Sequence, residues 1–162
     1  MTDLEPLLAR IRLAVFDFDG VFTDNHVWVN ERGEESVRCC RADGFGLVRL
    51  REVGVDAVIL STERVQIAMA RAQKLEVPCR HGLADKLEAL REEAERRGVS
   101  LGETAYVGND INDAECLRAV GVPVVPADAW PEVKPLARWV LSRAGGTGCV
   151  REFCDAVWEA QR

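Results

Sequence analysis

Short apolar runs recur along the chain, and between them apolar positions fall three or four residues apart. The runs LAVFDF (13–18), DAVILST (56–62), TAYVGND (104–110) and VPVVPA (122–127) predict buried strands, with a further short strand around residues 77–80. Helical spacing marks FGLVRLREVG (45–54), RVQIAMARAQKL (64–75), ADKLEALREEAERRG (84–98), DAECLRAVG (113–121) and VREFCDAVWEA (150–160). Gly54 and Gly98 stand where two of these helices should stop. VWVN (27–30) and ESVRCC (35–40) flank ERGE and predict a hairpin spanning about residues 26–40. Strands separated by helices predict an α/β fold with a mainly parallel sheet covered on both faces. With no repeat, linker or low-complexity segment, residues 1–162 read as one domain, closed by a tail at about 144–162.

The strand ends break the apolar pattern. Asp17 and Asp19 close the first, Ser61 and Thr62 the second, and Asn109, Asp110 and Asp113 follow the third. In a parallel α/β sheet these carboxyl ends meet at one edge, where ligands bind. Each cluster alone is compatible with a turn, since DG and ND are common turn dipeptides. Together they would crowd several like charges, a conflict that a divalent cation removes, and an all-oxygen set favours Mg²⁺.

Composition narrows the function classes. The formal charge is −6, which disfavours nucleic acid as a partner. No apolar run approaches the ~20 residues that span a bilayer, and MTDLEPLLARIRLAVF lacks a signal layout, so a cytoplasmic protein is expected. The six cysteines form no CxxC pair and read as reduced, small core residues. His26 and His81 have no partner at metal spacing, and Trp130, Trp139 and Trp158 fall at helix-like positions that suggest core.

DFDGVFTD, VILST, Lys86 in LADK and VGNDIND, in that order, resemble the four motifs of the haloacid dehalogenase-like phosphohydrolases. The resemblance covers nearly the whole chain and implies a Rossmann-like three-layer α/β/α core. It further implies that Asp17 is a nucleophile taking a phosphoryl group as an aspartyl-phosphate, and that Asp19 is the general acid and base. Ser61 and Lys86 would hold phosphate oxygens, and Gly20 would let backbone N–H groups approach the phosphate. Mg²⁺ would be held by Asp17, Asp19 and Asp110, with Asp113 supporting. Some relatives carry an acid where this chain has Asn109, so the ligand position could shift by one.

About forty residues separate Asp19 from Ser61 and about twenty-five separate Ser61 from Lys86, too few for a cap domain. Among capless members the chain resembles the 3-deoxy-octulosonate 8-phosphate phosphatases and the nonulosonate 9-phosphate phosphatases, through the hairpin, RADGFGL (41–47) and GGTGCVRE (145–152). Glu63 in STE, with Arg71 and Lys74 on the next helix, is similar to the nonulosonate class; Thr62 lies beside it, and Arg151 would reach a neighbour's site. Arg71 and Lys74 also read as a solvated helix face. The resemblance implies a homotetramer in which a neighbour acts as the cap, and a functional link to a cytidylyltransferase.

The expected function is therefore a Mg²⁺-dependent phosphatase for a sugar-acid phosphate monoester. A non-catalytic tetramerisation module, like the C-terminal domain of some acylneuraminate cytidylyltransferases, is the alternative; it could have lost these acids. A phosphoryl-accepting signalling domain would not need Asp19.

Overall fold

The computed structural model describes residues 4–162. At its centre lies a six-stranded, all-parallel sheet in the order β5-β4-β1-β6-β7-β8. The strands are β1 (Leu13–Phe16), β4 (Asp56–Leu60), β5 (Cys79–Arg80), β6 (Thr104–Val107), β7 (Val122–Val125) and β8 (Trp139–Val140). A separate antiparallel hairpin pairs β2 (Trp28–Val29) with β3 (Glu35–Ser36). The helices are α1 (Glu5–Leu8), α2 (Ala42–Glu52), α3 (Ile67–Leu75), α4 (Lys86–Arg97), α5 (Ala114–Ala119) and α6 (Cys149–Gln161).

Alternation along the central strand builds two cores. Ala14 and Phe16 of β1 face α2, α3 and α6, where Leu47, Leu50, Ala72, Phe153 and Val157 pack. Leu13 and Val15 face α4 and α5 through Leu90, Ala94 and Leu117. These layers give the expected α/β/α sandwich. Only the hairpin and α2 lie between β1 and β4, and only α3 between β4 and β5, so no cap is inserted. No helix among the described residues is long and apolar enough to cross a membrane, and all six cysteines are free.

Several expectations need correction. Helix α2 starts at Ala42 rather than Phe45, because Asp43 is drawn in as the acceptor of the Arg151 backbone N–H at 3.0 Å. The 132–143 segment supplies an edge strand, β8, and the short α1 carries no long periodic stretch that could have revealed it. Trp130 is not core but exposed, in a turn whose backbone bonds to Asn109. Trp139 lies in β8 against Phe153, and the half-buried Trp158 ring lies under the guanidinium groups of Arg49 and Arg162.

Candidate active site

Sheet order places the site. From β1 the chain proceeds outward through β4 and β5 on one side, then through β6, β7 and β8 on the other, so the order reverses between β1 and β6. A crevice opens at such a reversal, beyond the carboxyl ends of the strands. Backbone bonds carry the ladder into it: Asp17 N–H donates to Val107 O at 2.9 Å, and Ser61 N–H to Arg80 O at 2.9 Å. Two glycines let the loops close up. Gly20 has φ +86°, and a Cβ there would run into the Asn109 amide; at Gly108 a Cβ would meet Asp113.

Asp17, Lys86 and Asp113 form a buried group. Lys86 Nζ donates to Asp17 Oδ1 at 2.7 Å and to Asp113 Oδ1 at 2.8 Å. Tyr106 OH donates to the same Asp113 oxygen at 2.6 Å, and Asn109 N–H donates to Asp113 Oδ2 at 2.9 Å. Asp113 thus holds Lys86 and the loop after β6 in place. Burial and the Asp113 charge push the Asp17 carboxyl up to about 7, against the pull of Lys86. Burial opposes the Lys86 ammonium, but Asp17 and Asp113 more than offset it and hold the charge on.

The free side of Asp17 faces Asn109 and the backbone of Asp19. The terminal amide of Asn109 lies 3.1 Å from Asp17 Oδ2 and 2.8 Å from the Asp19 carbonyl oxygen; with its nitrogen toward them it donates to both. Turned the other way, it brings a third oxygen against those two. Ligands at 2.0–2.1 Å on adjacent corners of an octahedron stand ~3 Å apart, so the spacing suits Mg²⁺. This is a carboxylate, a carbonyl and an amide, and among the described residues no cluster of three His, Cys, Asp or Glu side chains suits a metal. The Asp110 carboxylate is turned onto Ile111 N–H at 2.7 Å, capping the turn that follows, and Asp19 offers its backbone rather than its side chain.

The Asp19 carboxylate lines a cleft of about 230 Å³ with Glu63, and with Asn25, Val27, Glu35 and Val37 of the hairpin region. Burial, then the charge of Glu63 and more weakly that of Glu35, raises its pKa against the pull of Lys86. Ser61 is buried at the end of β4, its Oγ accepting from Glu63 N–H at 3.2 Å. Thr62 is exposed and accepts from Asn112 Nδ2 at 3.4 Å. The outer candidates are not gathered here. Arg71 donates to Cys40 O at 3.4 Å, and Lys74 is exposed on the last turn of α3. Arg151 is held by Asp155 at 2.7 Å in a different cleft, beside Arg143 and Thr147. Tyr106 and Glu35 were missed: a strand tyrosine reads as core, and an exposed hairpin glutamate as solubilising.

A sequence profile of the haloacid dehalogenase-like hydrolases matches residues 59–152. The chain belongs to that family. Among haloacid dehalogenase-like proteins it is 34% identical over 154 residues to a 3-deoxy-D-manno-octulosonate 8-phosphate phosphatase of Yersinia pestis, covering 94% of this chain and 82% of the relative. The same kind of phosphatase from Moraxella catarrhalis, solved with magnesium, phosphate and the sugar acid, superposes with a TM-score of 0.94 at 27% identity, covering 99% and 93%. A Streptomyces avermitilis structure described only as an HAD family hydrolase gives 0.88 at 41% identity, covering 91% and 84%. The family's fold and its lack of a cap here agree with the sheet order and the short β1–β4 and β4–β5 connections.

Proposed function

We propose that the protein is a Mg²⁺-dependent phosphatase that hydrolyses the phosphate monoester of a keto-deoxy sugar acid. The observation that carries this reading is the shared buried ammonium of Lys86 between Asp17 and Asp113, beside the oxygens of Asp17, Asp19 and Asn109. Asp17 attacks phosphorus to form an aspartyl-phosphate as the ester oxygen leaves, and Asp19 gives that oxygen a proton. Asp19 then takes a proton from water, whose oxygen attacks the same phosphorus and frees phosphate and Asp17. Lys86 and Ser61 hold phosphate oxygens through both displacements. Asp17, the Asp19 carbonyl and Asn109 would hold Mg²⁺, which would supply neutralisation of the phosphate charge.

The named relatives favour an eight-carbon octulosonate 8-phosphate. Glu63, which lines the cleft with Asp19, favours a nine-carbon nonulosonate 9-phosphate as a second reading. Steady-state assays with both compounds and p-nitrophenyl phosphate test this: the higher kcat/KM identifies the sugar, and no turnover of any of the three would sink the phosphatase reading.

Assembly belongs to the same reading. The hairpin exposes Val27, Trp28 and Val29 at 50, 75 and 60%, and Phe45 and Val65 are also exposed. A second copy packed on this surface would cover it and close the open side of the cleft, in a homotetramer where the neighbour takes the place of a cap. A purely assembling role is disfavoured, because such a module has no need of a lysine desolvated between two acids.

A further inference from the structure

The cleft beside Asp19 has one wall that phosphoryl transfer does not use, and that wall is the hairpin. Its register sets Val29 opposite Glu35 and Trp28 opposite Ser36. Residues two apart on a strand share a face, so Glu35 points the way Val37 does. Both line the cleft with Val27, across from Asp19 and Glu63, whereas Trp28 and Ser36 belong to the other face. Glu35 is the charged residue that the hairpin strands place in this lining.

A fourth valine, after Val27, Val29 and Val37, would continue that apolar face. A carboxylate instead confronts two others, and among the described residues no lysine or arginine lines the cleft. The charges of Glu63 and, more weakly, Glu35 are felt at Asp19, after the larger effect of burial and against the opposing charge of Lys86. Such a wall is unfavourable by itself and becomes favourable when hydrogen-bond donors enter between the carboxylates.

We propose that Glu35 is a specificity-determining residue that, with Glu63 on the facing wall, accepts hydrogen bonds from the hydroxyl groups of a polyol chain attached to the phosphate. The proposal rests on the phosphatase reading and deepens it. An ionised carboxylate only accepts, so these walls favour a hydroxylated chain and repel an anionic one. A sugar acid therefore enters phosphate first, its hydroxylated carbons between Glu35 and Glu63 and its own carboxylate directed out of the cleft. Val27 and Val37 meet the C–H side of the chain.

The test compares sorbitol 6-phosphate with hexyl phosphate, which has the same carbon count but no hydroxyls, in the full-length protein with Mg²⁺. Wild type should favour the polyol in kcat/KM by roughly tenfold or more, as expected for hydrogen bonds to a charged acceptor. Glu35→Ala should lose most of that preference through KM, and Glu35→Gln, which keeps one acceptor oxygen, should recover part of it. Equal turnover of both compounds by wild type, or an equal loss on both in Glu35→Ala, overturns the proposal and leaves the phosphatase reading standing. A wild type that hydrolyses neither these nor p-nitrophenyl phosphate overturns both.

Discussion

Lys86 and Asp17 are 69 residues apart in the chain, yet Lys86 Nζ donates to Asp17 Oδ1 at 2.7 Å in the interior. The ammonium is shared with Asp113, and both Lys86 and Asp113 are buried. Replacing it leaves two buried carboxylates facing each other. Lys86→Ala should therefore lose about 3–5 kcal/mol of stability, read from urea unfolding, as well as activity. A variant as stable as wild type would mean that the acids do not depend on this cation.

Asp17→Asn keeps the shape of the side chain and an acceptor for Lys86 but removes the nucleophile. Turnover of p-nitrophenyl phosphate should fall by at least about a thousandfold, with an unchanged circular dichroism spectrum. Retained turnover would assign the attack to another group.

Chelation by EDTA should silence the enzyme, and Mg²⁺ should restore it. Because Asn109 rather than Asp110 faces Asp17 and the Asp19 carbonyl, Asn109→Ala should raise the Mg²⁺ concentration for half-maximal activity at least about tenfold. Asp110→Ala should shift it much less. The reverse order would return the ligand role to Asp110.

Asp43 is fully buried, one oxygen accepting from Arg151 N–H and the other without a partner. Burial lifts its carboxyl to about 6, partly countered by that hydrogen bond and by the charges of Arg71 and Arg151. The folded protein thus keeps a proton that the unfolded chain has lost between pH ~4 and ~6. Stability from this group is therefore full below pH ~4 and falls as pH rises through 6, by about 3 kcal/mol in all. Asp43→Asn should lack this decline, so its stability relative to wild type should improve from pH 4.5 to 7.5 in denaturant titrations. A constant difference would show that Asp43 ionises normally.

Trp28 is 75% exposed on the outer face of the hairpin. Sedimentation should find a tetramer for wild type, and Trp28→Glu should shift it toward monomer while sugar-phosphate turnover falls more than that of p-nitrophenyl phosphate. A wild-type monomer at micromolar concentration would remove the neighbour from the account.

Much of this molecule is legible in local sequence. Phe16 and Val107, like Ile59, sit in unbroken apolar runs that can only be buried on both faces, and each run ends in the polar residues that meet at the crevice. Gly98, at φ +63°, ends α4 where the pattern says it should. The 132–143 segment was less readable, because an edge strand of two residues has no period to detect.

Alternation, turn chemistry and motif order are properties of near neighbours, and by themselves they determined the strand and helix layers and the acids at the strand ends. Direction was decided only in three dimensions. A single residue's step after β6 chooses between Asn109 and Asp110, and loop torsions turn one inward and spend the other on a cap. The fold-back of the hairpin brings Glu35 to Asp19. No spacing along the chain encodes those outcomes, because they depend on where distant segments come to rest against one another.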